Sequence, residues 1–281
     1  MSSKNAIKVP VIIIASIAIF AVAFLAPKNH SAAKIAENLS TETKNSIALQ
    51  VDEIKASLPF ESLTTLNSFE VNYRTTTSSE KVQWLDSIIQ FWDKQMRPAV
   101  SAIYAEEKAD LTQNIEDRNL SGYRYLNITD FLKPEDKTWA FDKAYEAFRK
   151  VLEKDPQNTD AKISLGICMV ESGSFNPMDG ILLIREVLEV EPTNTRAILQ
   201  LGHFSIQSGQ YENAIERYKQ AYFVDTTQKE MFFYVGDTYA KMGNLDSANH
   251  YLSVYKSSID NPVIKQQLEN YIQEINIKSN H

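Results

Sequence analysis

Residues 195–226 read TRAILQLGHFSIQSGQYENAIERYKQAYFVDT. Within this stretch Gly202 and Gly209 stand seven residues apart, each followed by a run with helical spacing of apolar residues. The same pairing recurs at Gly166/Gly173 and at Gly236/Gly243, so six of the chain's eight glycines fall into three pairs. From pair to pair the step is 36 residues, then 34. The surroundings match as well: SLGICMVESGSF at 164–175, QLGHFSIQSGQY at 200–211 and YVGDTYAKMGNL at 234–245. A period near 34 built this way marks an array of helical repeats.

The first glycine of each pair falls inside a helix, where glycine costs about 0.5–1 kcal/mol relative to alanine. A cost incurred three times needs a packing reason, and a close crossing of two helices supplies one. The second glycine falls where the helix ends and a left-handed residue turns the chain. An apolar residue follows (Phe175, Tyr211, Leu245), and then a second amphipathic helix. The expected fold is all-α, a solenoid of helical hairpins.

These residues resemble the tetratricopeptide repeat (TPR) family. The clearest copy starts at Thr195, with Leu201, Gly202, Gly209, Tyr211, Ala214, Tyr218 and Ala221 in register and Thr226 where proline is usual. Copies starting at Thr159 and Lys229 follow the same pattern, the former with two extra residues near Asn176-Pro177. Upstream, Ala144, Phe148, Val151 and Pro156 match a second helix. Its partner is expected over 115–127, with about ten extra residues, 129–138, between them. A weaker copy begins at Lys81, where Trp84 and Tyr104 take aromatic positions. This divides the chain into a tail (1–8), an anchor (9–26) and a juxtamembrane helix and linker (27–79). Degenerate repeats (80–138), the TPR array (139–262) and a capping helix with a tail (263–281) follow.

The N-terminal segment 9–26, VPVIIIASIAIFAVAFLA, holds no charged side chain. Its 18 residues would span roughly 27 Å as a helix, close to the ~30 Å hydrocarbon core of a bilayer. Pro10 sits in the first turn, where proline is tolerated. The expectation is a single-pass transmembrane anchor in the lipid bilayer. A signal peptide cleaved near Ala21-Val22-Ala23 is the rival, although its apolar core is usually shorter. No cysteine lies nearby to accept a lipid. Lys4 and Lys8 ahead of the span, against Lys28 and Lys34 after it, favour a cytoplasmic N-terminus by a small margin. The repeats would then be extracytoplasmic, in a periplasm if the source is bacterial.

Of the 29 lysines and arginines only Lys4 and Lys8 precede residue 28, which leaves 27 basic against 36 acidic side chains beyond it. That balance argues against nucleic acid as a partner. The single cysteine, Cys168, excludes an intramolecular disulfide and reads as a small buried apolar residue. Residues 31–58 are expected to be helical, with Ile47, Val51, Ile54 and Leu58 on one seam. That seam is too short to imply a coiled coil, so a homo-oligomer stays open. The Ser/Thr-rich stretch 59–79 is expected to be a loop, closed by a Thr77/Glu80 capping box. Trp84, Ile88, Phe91 and Trp92 then cluster on one helix, as core or as a binding patch.

No phosphate-binding loop is present, and His30, His203, His250 and His281 lack the spacing of metal ligands. A Cys168–His203 nucleophile pair would have no third group to complete it. Glu106-Glu107 and Glu216 fit solvated helix faces. Neither a cofactor, a metal nor a catalytic site is expected.

What the TPR resemblance implies is a protein-binding groove lined by the first helix of each repeat. Carried over residue by residue, its lining includes Ile163, Ile167, Arg196, Leu199, His203, Ile206, Phe233 and Asp237. The lysine and asparagine clamp of chaperone-binding TPR domains is missing, since its positions hold Ile163, Ile167, Gln200, Glu230 and Tyr234. An apolar groove suits a protein or peptide partner, as a hydrophobic segment or an amphipathic helix. Polar replacements at Leu199 and Phe233 are expected to leave the fold intact. The helix over 263–277 is expected to cap the last repeat, or to cover part of the face. The functional expectation is a non-enzymatic, membrane-anchored scaffold for an envelope complex. Alternatives are a holdase-like periplasmic chaperone and an enzyme with an unrecognised site.

Overall fold

The computed structural model describes residues 51–278. The expected anchor 9–26, its flanking lysines and most of the helix expected over 31–58 lie outside those residues. Among the described residues no helix is long and apolar enough to cross a membrane, and none of them forms a strand.

After a helical stretch at 51–56, twelve α-helices follow. They are α1 (Phe60–Thr75), α2 (Ser78–Lys94), α3 (Pro98–Thr112), α4 (Ile115–Ile128), α5 (Pro134–Lys154), α6 (Thr159–Glu171) and α7 (Pro177–Val190). The remainder are α8 (Thr195–Gln207), α9 (Tyr211–Val224), α10 (Glu230–Lys241), α11 (Leu245–Ser257) and α12 (Pro262–Lys278). A short 3-10 turn, Thr129–Phe131, sits in the ten-residue insertion between α4 and α5. The chain forms two compact units that divide between Val187 and Leu188.

The repeat reading predicts how each hairpin closes, and the glycines report on it. A Cβ added at Gly202 of α8 would lie 2.9 Å from the Tyr218 ring of α9. At Gly236 of α10 it would lie 2.8 Å from Cγ of Leu252 on α11. At Gly166 it would meet Ile184 at 2.7 Å, and at Gly122 the Phe148 ring at 2.7 Å. A large side chain of the second helix therefore fills the notch left by glycine on the first. The partner stands 16 residues on at Gly202 and Gly236, 18 on at Gly166 and 26 on at Gly122. The two-residue and ten-residue insertions thus change the connection and leave the contact in register. The backbones of α6 and α7 approach most closely, since the Gly166 Cβ position is also 2.7 Å from the Gly180 carbonyl oxygen, whereas the Gly236 Cβ position is 3.1 Å from the Leu252 backbone nitrogen. Gly173, Gly209 and Gly243 end their helices at φ of 72°, 75° and 76°, the left-handed conformation expected there.

Helix starts are fixed by asparagine. Asn158 and Asn194 accept from the backbone N–H of Ala161 and Ala197, three residues on, at 2.9 and 3.0 Å. Asn244 caps α11 in the same manner through Ser247, and Asn114 caps α4 by accepting from the N–H of Glu116, two residues on. Such caps are worth about 1 kcal/mol each.

Two local expectations fail in the first unit. Residues 60–75 are helix and not loop. The serines and threonines there do not break it, because Thr64, Thr65 and Thr75 bond back to carbonyls four residues earlier. Leu66 is fully buried and holds the helix to the core. Thr77 is the N-cap of α2 but makes no side-chain cap bond, and Glu80 is bound by the Thr76 hydroxyl instead. The aromatic cluster of α2 is core. Ile88, Phe91 and Trp92 are buried with Leu66 and Val100, and Trp84 packs on Phe69.

Candidate interaction face

On α8, Arg196, Leu199, His203 and Ile206 follow one another at steps of three, four and three, so they share a face. All four are half-buried and keep some contact with solvent. Leu199 and Ile206 pack on the core of Ile198, Tyr218, Met231 and Val235 beneath them. His203 is the centre of an aromatic group. Its Nδ1 is 3.1 Å from the Tyr218 hydroxyl, and its ring meets those of Tyr218 and Tyr234 edge to face. Tyr218 and Tyr234 stack on each other with centroids 5.2 Å apart. Burial holds the His203 imidazole below its ordinary pKa and pushes the Tyr218 phenol well above the usual range.

Phe233 and Asp237 are assigned differently by the structure than by the groove reading. Phe233 packs against Tyr255 and Tyr271, beside the buried group of Leu252, Ile259 and Leu268. Asp237 accepts a hydrogen bond from the Tyr271 hydroxyl at 2.5 Å and pairs with Lys241. Both are therefore occupied by the chain's own last helix, so a charge at Phe233 would be set against a packed interface. The expected tolerance of a polar residue there is withdrawn. Helix α12 is further tied to α11 by two hydrogen bonds between Asn249 and Asn276, at 2.9 and 3.2 Å, and by Lys256 to Glu269. It both caps the array and covers part of the face.

In the first unit Ile163 is fully buried, which removes it from any exposed lining. Ile167 keeps partial exposure. Cys168 is buried among Ala144, Phe148 and Ala161. No group of histidine, cysteine and carboxylate side chains suited to a metal occurs among the described residues.

The largest surprise concerns α3. Glu106 and Glu107, read as solvated, are ligated by other helices. Glu106 accepts from the Tyr125 hydroxyl at 2.6 Å and pairs with Lys143 at 2.8 Å. Glu107 accepts from the Tyr73 hydroxyl. Lys108 bridges Asp86 and Asp117, and Asp110 takes Arg118 at 2.5 Å. The helix is an ionic hub for α1, α2, α4 and α5. A sequence signal for part of it exists. Tyr73 and Glu107 are 34 residues apart, as are Tyr104 and Glu70, whose hydrogen bond is 2.8 Å. A tyrosine and a carboxylate one repeat apart were the pattern to look for.

A shallow recess of about 770 Å³ in the second unit is lined by Thr193, Glu216, Lys219, Gln220, Phe223 and Val224. Phe223 is 80% exposed there. None of these residues belongs to the α8 face, and of them only Glu216 is named by the sequence analysis, as part of a solvated helix face.

No known protein family matches the chain by sequence, and no curated protein does. Among solved structures, MamA residues 41–end from Desulfovibrio magneticus RS-1 is similar at 20% identity and a TM-score of 0.48, over 65% of this chain and 98% of that one. YrrB, described as a TPR protein with an unusual peptide-binding site, is similar at 14% identity and 0.44, over 69% and 98%.

Proposed function

We propose that the chain is a non-catalytic scaffold that holds a protein or peptide partner on the first-helix face of its repeats. The observation that carries this reading is the α8 face: Arg196, Leu199, His203 and Ile206 in line, half-buried and set on a packed core. Apolar side chains held by a rigid base lose little entropy on binding and serve as anchors. The uncharged segment 9–26 supports a membrane tether, with the repeats outside the cytoplasm and an envelope complex as the setting. Such a tether would confine the partner search to the membrane surface.

The test is quantitative capture from solubilised membranes through a tag at the C-terminus. Leu199→Glu with Ile206→Glu should abolish recovery of a partner that the unchanged protein retains. Each lost anchor is expected to cost about 2 kcal/mol. Circular dichroism checks that the variant is folded. A folded variant that recovers the partner equally well would move the binding surface elsewhere, first to the Phe223 recess.

A further inference from the structure

The C-terminal ends of α7 and α9 expose apolar side chains at matching places. Val190 and Val224 are the last residues of these helices and stand 34 apart, and both are exposed. Phe223, beside Val224, is the most exposed large hydrophobic side chain among the described residues of the second unit. Phe223 and Val224 also line the recess, with Thr193, Glu216, Lys219 and Gln220. One surface thus carries a projecting aromatic ring and, beside it, a hollow of about 770 Å³. A cavity of about 150 Å³ already holds a benzene ring, so the hollow admits a phenylalanine side chain. Contiguous exposed apolar side chains rimmed by polar ones mark interaction sites.

The charges of the recess say which partner fits. Glu216 and Lys219 line it together, one acid and one base, whereas the whole chain has a net charge of −7. Copies of so acidic a chain repel one another over most of their surface, but not across a balanced recess. The two side chains stand one turn apart on α9. Among the described residues Glu216 has no ion pair, and Lys219 lies over the rings of Tyr251 and Tyr239 at 5.3 and 6.0 Å. Each therefore remains open to a group of opposite sign. A two-fold axis sets a patch against itself, so every feature meets its complement on the other copy. The ring meets the hollow, and the acid approaches the base. An unrelated partner would have to supply all four in matching places.

We propose that the chain forms a two-fold dimer through this surface, with Phe223 of each copy seated in the recess of the other. The inference does not depend on the α8 face, whose residues are not part of the recess. The dimer would offer a partner two such faces.

The test is sedimentation velocity of the full chain in a density-matched, non-ionic detergent over a range of concentrations. The unchanged protein should pass from monomer to dimer as concentration rises. Phe223→Asp, at an exposed position that the fold tolerates, should weaken the dimer at least about tenfold. Glu216→Lys should weaken it about threefold or more, and adding Lys219→Glu should restore it to within about twofold. Leu199→Glu with Ile206→Glu should leave it unchanged, with folding of every variant checked by circular dichroism. Because Lys219 also rests on two tyrosines, a second measurement uses Gln220→Cys. A short bis-maleimide should join that residue to its counterpart, while the buried Cys168 of the unchanged protein should not react. A monomer at every concentration would overturn the proposal, as would a Gln220→Cys variant that does not cross-link. A dimer indifferent to both Phe223→Asp and Glu216→Lys would place self-association on another surface and overturn it too.

Discussion

Tyr271 of α12 donates its hydroxyl hydrogen to Asp237 of α10 across 2.5 Å, and the two residues are 34 apart, one repeat length. The last helix therefore stands where the first helix of another repeat would stand, with no second helix after it among the described residues. Its inner side closes the core over Leu252 and Ile259. A solenoid needs such a terminal element, because its last hairpin otherwise exposes an apolar face.

Tyr271→Phe removes the hydroxyl and leaves the Asp237 carboxylate with Lys241 alone. Bonds to a charged acceptor are worth about 1.5–3 kcal/mol. The second unit should lose about that much stability in urea unfolding. Hydrogen exchange should rise first in α12. Phe233→Glu should be worse, since it sets a charge into the same interface. A Phe233→Glu variant as stable as the unchanged protein would mean that α12 does not pack as described.

The ionic hub around α3 makes the first unit sensitive to acid. Burial alone would raise the Asp110 carboxyl, but it is outweighed by the hydrogen bond and charge of Arg118, with Lys150 adding, so the group lies below its ordinary 3.8. Asp93 is likewise held low, burial being outweighed by Arg124 and Ser101. A depressed carboxylate adds stability above its unfolded pKa and loses it as pH falls through the folded one. The loss should therefore begin below about pH 4. At the other extreme, burial first and then the Glu107 contact raise the Tyr73 phenol from 10.0 to about 12. That contribution is present below pH 10.0 and is lost as pH rises toward about 12. Tyr73→Phe should make the alkaline limb of a pH–stability profile shallower, with Tyr104 and Tyr125, which are also raised by burial, retaining the rest of it.

How much of this was legible depends on range. The glycine notches could be read because each is local: a small residue, a helix end, and a second helix within one hairpin. Even the insertions near Asn176 and at 129–138 could be counted, because the filling side chain stays in register. Helix α1 was missed because Ser and Thr were weighed by composition. Their hydroxyls are satisfied within the helix itself, and Leu66 supplies burial. The charges of α3 were misread because a solvated and a paired glutamate look alike on one helix. Only the neighbouring helices decide between them: Tyr73 lies 34 residues from Glu107, and Tyr125 and Lys143 lie 19 and 37 residues from Glu106. Phe233 illustrates the same point, since nothing in YVGDTYAKMGNL announces that α12 will cover the residues beside it.

His203 is the titratable centre of the second unit. It is held neutral by burial, against Tyr218 and Tyr234. A histidine with a lowered folded pKa contributes stability that is present above the unfolded value of 6.5 and is lost as pH falls through the folded one. The melting temperature of the second unit should fall as pH drops below about 6.5. His203→Gln keeps a polar partner for the Tyr218 hydroxyl and removes the titration. Its melting temperature should be flat over that range. A variant with the same dependence as the unchanged protein would assign the effect to other groups.

Gly202→Leu separates two accounts of the repeat glycine by sign. Helix propensity alone makes the change stabilising by about 0.5–1 kcal/mol. Packing opposes it, because even a Cβ would lie 2.9 Å from the Tyr218 ring. That ring has little room to retreat, being 2% exposed, bonded to His203 and stacked on Tyr234. Overpacking of this kind costs about 1–3 kcal/mol, so the melting temperature should fall by several degrees. Tyr218→Ala opens the notch, and in the double variant leucine should fill part of it. The two changes should then be less harmful together than their sum, with a coupling of about 0.5–3 kcal/mol. Gly209→Ala is the control. Its φ of 75° disfavours a side chain although open space surrounds it, so it should cost about 1–2 kcal/mol with no coupling to Tyr218. A rise in melting temperature for Gly202→Leu would remove the notch as the reason for the glycine, and with it the contact that sets the register of every hairpin.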